Sequence, residues 1–149
     1  MYQIFIIDDH AALRSIYRAV IELESDLIIC GEAETGHQAL EQLFCSLPDS
    51  YPDVVLLDLA LPDISGFAVL NQLRKRNVAL PVLVVSGQDE LLHAPRSLAA
   101  GANGYVDKGQ IALALVQAIH LILNGGIYIS DRVQNYLDQQ QLDKQPAQQ

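Results

Sequence analysis

The sequence has few cysteines, few basic residues and no hydrophobic run long enough to cross a membrane. Its two cysteines, Cys30 and Cys45, lack metal-ligand spacing and are too few for a disulfide-stabilised fold. Nine lysines and arginines stand against 18 acidic residues, and the net charge of −9 argues against a broad nucleic-acid-binding surface. The longest apolar stretch, residues 111–123, is shorter than a membrane span and contains Gln117 and His120.

Several targeting and enzyme motifs are absent too. Met1 runs directly into a strand pattern without a basic region, so no signal peptide is predicted. The sequence has no Walker loop and no dinucleotide-binding GxGxxG pattern, and Val84 stands where a Gly-x-Ser-x-Gly elbow needs its first glycine. Half of the 149 residues are hydrophobic and 18% are charged, which indicates a globular domain. We therefore expect a cytoplasmic protein with no membrane partner.

Five short apolar runs alternate with amphipathic helical patterns, which predicts a doubly wound, three-layer α/β domain with a parallel sheet. The predicted strands are residues 3–7, 27–30, 54–57, 81–85 and 104–106, and the predicted helices are about 13–25, 36–44, 66–77, 95–100 and 110–123. The fourth helix is expected only from about Pro95, because proline cannot donate a backbone hydrogen bond inside a helix. Gly125 and Gly126 are expected to end the last helix, and residues 48–52 to form a linker.

Polar residues follow the ends of four predicted strands. Asp8 and Asp9 follow the first strand, Asp58 the third, Ser86 the fourth and Lys108 the fifth. Because parallel strands end at one edge of a sheet, we expect these side chains to lie together. Three carboxylates repel one another and require a cation such as Mg²⁺, while a lysine and a serine can hold phosphoryl oxygens. Each residue alone fits a cap, a turn or a solvated end, but four such coincidences favour a site for phosphoryl chemistry.

Over residues 2–123 the sequence resembles the receiver domains of two-component response regulators. Beyond the strand-end residues, the match includes Pro62, Gly66 and residues 101–105. Three positions depart from the residues common in that family, namely Leu61, Pro95 and Gly109. The resemblance implies a single flavodoxin-like (βα)5 domain with the parallel sheet order 2-1-3-4-5. It also implies a phosphoacceptor switch with at most self-catalysed phosphorylation and dephosphorylation, rather than an enzyme.

The resemblance further implies a role for each residue of the site. Asp58 would accept a phosphoryl group from a sensor histidine kinase or a phosphotransfer protein. The residues that would bind Mg²⁺ are Asp8, Asp9, Asp58 and the backbone carbonyl of Ala60. Lys108 would contact the phosphoryl group, and Ser86 and Tyr105 would switch conformation in response. The histidines, by contrast, show no ligand spacing and are predicted to be ordinary helix or surface residues: His10, His37, His93 and His120.

The C-terminal part of the sequence has a different character. Residues 1–125 are predicted to form the receiver domain, and residues 126–149 a linker with a short helix through Leu137 and a polar tail. Six of the last twelve residues are glutamine, so the tail from Asp138 is expected to be a linker or a frayed end. Residues 125–130 resemble the segment that follows the receiver in NarL/FixJ-type transcription regulators. We therefore expect a DNA partner only through a LuxR-type helix-turn-helix domain that this chain lacks.

Three alternatives and a possible homodimer remain open at this point. The first alternative is a natural single-domain receiver without an output domain. The second is an aspartate-nucleophile phosphatase, which would place its nucleophile after the first strand and a second aspartate where His10 stands. The third, a receiver unable to accept phosphate, would lack Asp58 or Lys108. Leu113 and Val116 lie outside the core-facing stripe of the fifth helix, with Leu123 at its margin, which favours contact with a second copy.

Overall fold

The computed structural model describes residues 1–45, 51–76 and 79–144 and shows a five-stranded sheet between helices. The strands are β1 (Tyr2–Ile7), β2 (Leu27–Ala33), β3 (Val54–Leu57), β4 (Val82–Ser86) and β5 (Gly104–Asp107). The helices are α1 (Ala11–Ile21), α2 (Gly36–Cys45), α3 (Gly66–Lys75), α4 (Glu90–Ala99), α5 (Ile111–Leu123) and α6 (Asp131–Lys144), with a 3-10 turn at Lys108–Gln110. All strand pairs are parallel, in the order β2-β1-β3-β4-β5, which confirms the predicted fold.

The central strand β3 is buried on both faces, as its uninterrupted aliphatic sequence predicts. Val55 and Leu57 belong to the core cluster that packs against α2, α3 and α4. Val54 and Leu56 belong to the opposite cluster, which packs against α1 and α5. Burial of each such side chain contributes about 1.5–3 kcal/mol, so the two hydrophobic clusters hold the helices against both faces of the sheet. The strand ends at this rigid centre are therefore well fixed.

The start of α4 corrects the prediction that an ordered helix begins only at Pro95. The helix begins at Glu90, because Asp89 caps it: the Asp89 carboxylate accepts a hydrogen bond from the Leu91 N–H at 3.0 Å. The Asp89 carbonyl accepts another from the His93 N–H at 2.9 Å. Pro95, the sixth residue of the helix, therefore removes one backbone hydrogen bond from a helix that its cap already stabilises.

The helix after Ser130 is longer than the sequence predicts. Ser130 caps this helix, since its hydroxyl accepts a hydrogen bond from the Val133 N–H at 3.2 Å. Val133 is 1% exposed and lies in the same core cluster as Ala94 of α4. The helix then continues beyond Leu137 to Lys144. Side-chain hydrogen bonds between residues four apart support this polar part, from Gln134 to Asp138 and from Gln139 to Asp143.

A glycine follows α5, and the segment after it joins the edge of the sheet. Gly125 has a φ of 86°, which confirms the predicted glycine at the end of α5. Tyr128 then lies beside β5, where its carbonyl accepts a hydrogen bond from the Tyr105 N–H at 2.9 Å. No helix in the described ranges is long and apolar enough to span a membrane. Residues 48–50 of the predicted linker, Asn77 and the tail from 145 lie outside the described residues, whereas α3 ends at Lys75, close to the end predicted near Asn77.

Candidate functional site

The aspartates and the lysine that follow the strands meet in one acidic pocket at the carboxyl edge of the sheet. Asp8 is 1% exposed, Asp58 2% and Ser86 0%. The Lys108 ammonium nitrogen lies 3.1 Å from Oδ2 of Asp58 and 3.4 Å from Oδ2 of Asp8. One cation is therefore shared between two buried carboxylates, so the pocket keeps an excess of negative charge.

Strand register explains why these side chains meet. Ile7 pairs with Leu57, and the Asp58 N–H donates a hydrogen bond to the Ile7 carbonyl at 3.0 Å. The residues that directly follow β1 and β3 are therefore neighbours. On the other side, Ser86 pairs with Asp107, so that Lys108 leaves the sheet beside the end of β4.

The surroundings of Asp58 shift the pKa of its carboxyl. Burial raises the pKa of Asp58, because removal from water disfavours its charged form. The Ala60 N–H, which donates to Oδ1 of Asp58 at 3.2 Å, and the Lys108 ammonium oppose this effect, while the charge of Asp8 adds to it. The Asp58 carboxylate is thus poorly solvated and lies beside a lysine.

A tyrosine that sequence reasoning places only in the hydrophobic stripe of α1 belongs to the pocket. Tyr17 is 1% exposed, and its hydroxyl donates a hydrogen bond to Oδ2 of Asp8 at 3.2 Å. Burial raises the pKa of Tyr17, and the charge of Asp8 raises it further, so the phenol stays a donor. Because the same oxygen lies 3.4 Å from the Lys108 nitrogen, Tyr17 and Lys108 share Asp8.

His10, predicted to be an ordinary helix or surface histidine, is exposed and lies beside the two aspartates that follow β1. Its Nδ1 lies 3.1 Å from Oδ1 of Asp8 and 3.2 Å from Oδ1 of Asp9. The ring turns back because residue 10 is the N-cap of α1, with an extended backbone and no side-chain hydrogen bond to the helix. Among the described residues, the other three histidines lie outside this acidic group.

The donor atoms of the pocket suit a divalent cation. One ligand atom from each of Asp8, Asp9, His10 and Asp58 lies within 4.8 Å of all the others. Oδ1 of Asp9 is buried and has no hydrogen-bond donor. A buried carboxylate oxygen without a donor is costly, and a cation would satisfy it. The Mg²⁺ that the sequence predicts therefore fits the residues present.

The two residues predicted to switch both contact the segment that leads into α4. The Ser86 hydroxyl accepts a hydrogen bond from the Gln88 N–H at 3.1 Å. The Tyr105 ring is 1% exposed, and its hydroxyl donates to the Gln88 carbonyl at 3.1 Å. Burial raises the pKa of Tyr105, so this hydroxyl also remains a donor. A movement of Ser86 would consequently shift Gln88, whose carbonyl accepts the hydrogen bond from Tyr105.

Gly66 allows α3 to begin directly against the backbone of Asp58. A Cβ atom at position 66 would lie 2.3 Å from the Asp58 carbonyl oxygen, which no side chain can tolerate. The Gly66 N–H donates to the Leu59 carbonyl at 2.9 Å and closes the loop after β3. This contact explains the glycine at that position and fixes the loop that carries Ala60.

Asp63 ties the same loop to α2. Its two carboxylate oxygens accept hydrogen bonds from the N–H groups of Gly36 and His37, each at 2.8 Å. Although loss of solvent favours the neutral acid, hydrogen bonds from these and two further backbone N–H groups lower the pKa of Asp63 to about 2. The sequence gives no direct sign of this long-range helix cap.

We expect Asp63→Ala to lower the free energy of unfolding by about 1 kcal/mol at pH 7, the usual cost of a lost N-cap. Because the folded-state pKa lies below the ordinary value of 3.8, the contribution is complete above pH 4 and is lost as pH falls towards 2. Urea denaturation at pH 7 and pH 3 measures both effects. Glu41→Ala, at an exposed position of the same helix α2, is the control. Equal stability of wild type and Asp63→Ala at pH 7 would contradict this role.

Several known response regulators are similar to this chain in sequence or in structure. Residues 4–120 match the response regulator receiver domain family. The transcriptional regulatory protein DegU of Brevibacillus brevis is 33% identical over 136 residues, which cover 91% of this chain and 56% of DegU. The nitrate/nitrite response regulator NarL of Escherichia coli K12 is 32% identical over 129 residues, which cover 86% of this chain and 57% of NarL.

A crystal structure of a LuxR-family two-component response regulator from Aurantimonas sp. SI85-9A1 has the same fold. It superposes with a TM-score of 0.85 at 28% identity, and the match covers 95% of this chain and 99% of that one. The chain spans just over half the length of DegU and of NarL. From the match over residues 4–120 and the strand order, we conclude that the chain belongs to the response regulator receiver domain family.

Proposed function

We propose that this receiver domain is a phosphoacceptor switch in which Asp58 takes a phosphoryl group from a histidine kinase or a phosphotransfer protein. Receiver domains are switches rather than conventional enzymes. The observation that carries the proposal is the Lys108 ammonium between the two buried carboxylates of Asp8 and Asp58. A lysine in that position can neutralise the oxygens of a phosphoryl group as it reaches Asp58.

In the proposed transfer, a carboxylate oxygen of Asp58 attacks phosphorus while the P–N bond of the phosphohistidine breaks. The leaving imidazole keeps the electron pair of that bond, and Asp58 becomes an acyl phosphate. Lys108 holds a negatively charged oxygen of the transferred group. Asp8, Asp9, Asp58 and the Ala60 carbonyl would hold Mg²⁺, which when bound supplies further charge neutralisation.

The response of the domain would then pass from Ser86 to Tyr105. A phosphoryl group on Asp58 attracts the Ser86 hydroxyl, which in this structure accepts a hydrogen bond from the Gln88 N–H. Because Tyr105 donates to the carbonyl of the same residue, the loop before α4 would move together with the tyrosine. The surface of α4, β5 and α5 would report the change.

A small-molecule phosphodonor, added with Mg²⁺ and followed by intact mass spectrometry, tests the proposal directly. A phospho-adduct that maps to Asp58 supports the switch. Rapid turnover of varied phosphate esters without an adduct would instead indicate a phosphatase, and the absence of both reactions would contradict phosphoryl chemistry at this pocket.

We further propose that the output is transcription regulation. DegU is a transcriptional regulatory protein and the similar crystal structure is of a LuxR-family regulator. The net charge of −9 leaves this chain without a broad basic surface for DNA. DNA contact would therefore be made by a helix-turn-helix domain outside these residues, in a cytoplasmic protein. Reading the gene past Gln149 tests this, and a stop codon there would favour a single-domain receiver.

Helix α5 supports a proposed homodimer. Its core-facing residues are buried as predicted, whereas Leu113 is 81% exposed and Val116 and Leu123 are half-buried. An exposed leucine beside such a helix face suits a contact with a second copy, which phosphorylation would strengthen. Burial of Leu113 between two copies is the specific form of this proposal.

We expect Leu113→Asp to weaken self-association about tenfold or more, because a central interface side chain is worth over about 1.4 kcal/mol. Sedimentation of the phosphorylated chain over a range of concentrations measures the effect. Leu23→Asp is the matched control, since Leu23 is 84% exposed but lies just beyond α1. A strict monomer at high concentration, with and without the phosphodonor, would contradict the dimer.

A further inference from the structure

We propose that His10 is an additional metal ligand of the acidic pocket and makes it prefer a late first-row divalent cation, such as Co²⁺ or Zn²⁺, more than its carboxylates alone would. This inference rests on the proposed cation site and adds a residue that decides which metal is bound. Its starting point is the imidazole nitrogen that shares the pocket with Asp8, Asp9 and Asp58.

The spacing of the donor atoms matches a coordination shell. Neighbouring ligands around a cation lie about 3.0 Å apart in an octahedron and about 3.3 Å apart in a tetrahedron, for bonds of about 2.0–2.1 Å. Nδ1 of His10 lies 3.1 Å from Oδ1 of Asp8 and 3.2 Å from Oδ1 of Asp9. Both pairs of atoms therefore have the spacing of neighbouring ligands around one cation.

The simpler interpretation is an ion pair between a protonated His10 and the two aspartates, and it leaves one atom unexplained. Nδ1 carries at most one hydrogen, which can be donated to Oδ1 of Asp8. Oδ1 of Asp9 then remains buried without a donor. A cation that accepts electron pairs from Nδ1 and from both carboxylates satisfies all three atoms together.

The local backbone leaves His10 free for this role. The residue caps α1 in an extended conformation, but its side chain makes no capping hydrogen bond. The side chain is 56% exposed, so an ion pair there is weak and is easily exchanged for a metal bond. The ring therefore gains more from a cation than it loses from the aspartates.

The donor set determines which cation benefits. Carboxylates and carbonyls suit Mg²⁺, whereas an imidazole favours the later first-row metals. Mg²⁺ would be bound by a water molecule in place of His10, so its affinity would depend little on this side chain. Removal of His10 should consequently change the ratio of two affinities, which a merely structural role would not do.

The test compares Co²⁺ and Mg²⁺ binding to the wild-type chain, His10→Gln and His37→Gln. His37 is a suitable control because it is 74% exposed and its Nε2 lies 3.9 Å from an aspartate, outside the pocket. We expect His10→Gln to weaken Co²⁺ binding about tenfold or more, the usual scale for losing support at a metal site. Mg²⁺ binding should change less than twofold, and His37→Gln should change neither affinity.

Proton NMR of the wild-type chain with Co²⁺ provides a second measurement that does not depend on a variant. Hyperfine-shifted imidazole resonances from His10 would support direct ligation. Equal effects of His10→Gln on Co²⁺ and Mg²⁺, no effect on either, or a Co²⁺ complex without shifted His10 resonances would overturn the inference. Mg²⁺-dependent phosphorylation of Asp58, measured in the same samples, shows whether the proposed function survives such a result.

Discussion

Asp58→Asn is expected to abolish phosphorylation of this receiver while leaving its fold intact. Asparagine has nearly the same shape, but its amide cannot replace the carboxylate nucleophile, so the rate should fall about 10⁴-fold or more. Intact mass spectrometry after addition of a phosphodonor and Mg²⁺ measures the adduct. Asp26→Asn, an exposed aspartate outside the acidic pocket, should react like the wild type. An unchanged rate in Asp58→Asn would show that another residue is the acceptor.

The same substitution should also raise the free energy of unfolding at neutral pH. Burial raises the pKa of Asp58 in the folded chain, so the ionised carboxyl opposes folding once the pH exceeds its ordinary value of 3.8. Wild type therefore loses stability relative to Asp58→Asn as pH rises through the folded-state pKa, and the difference disappears below pH 3.8. Metal-free denaturation curves at acidic and neutral pH measure this difference. A less stable Asp58→Asn at pH 7 would contradict the electrostatic account.

Lys108→Ala is expected to slow phosphorylation about 10² to 10³-fold, as loss of one preorganised donor to a developing charge usually does. The positively charged Lys108 nitrogen lies 3.1 Å from Oδ2 of Asp58, and the methyl group of alanine cannot neutralise phosphoryl oxygens. Stability should suffer much less, because Asp58 can take up a proton when its lysine is removed.

Single-turnover phosphorylation and urea denaturation of the same samples separate the two effects of Lys108→Ala. Lys75→Ala, at an exposed position near the end of α3, is the matched control. A variant that loses most of its stability but reacts at the wild-type rate would mean that Lys108 is a structural residue only.

The fold and the main part of the acidic pocket could be predicted from the sequence for a simple physical reason. Short aliphatic runs bounded by turn residues, such as Val54–Leu57, are typical of strands buried on both faces, and parallel strands bring their carboxyl ends to one edge. The polar residues that follow those runs, including Asp58 and Lys108, must then meet. This part of the prediction requires only the order of the strands along the chain and does not depend on side-chain contacts.

The remaining parts depend on contacts that local patterns do not encode. Tyr17 has the spacing of a core residue, and its bond to Asp8 becomes visible only when α1 is packed. Asp63 caps a helix that begins 27 residues earlier, which no local capping signal reveals. The early start of α4 depends on its Asp89 cap, and the length of α6 is supported by side-chain hydrogen bonds between glutamines and aspartates. Neither is apparent from Pro95 or from the glutamine content alone.

The outer edges of the sheet have a consequence for solubility. Along β5, the backbone of Tyr128 occupies hydrogen-bonding groups that an edge strand would otherwise present to another chain. Along β2, the pairing with β1 shifts by one residue between Ile4 and Phe5, which twists that edge. Both edges are thus poor templates for strand addition. Strand addition between copies of this chain should therefore be disfavoured at high concentration.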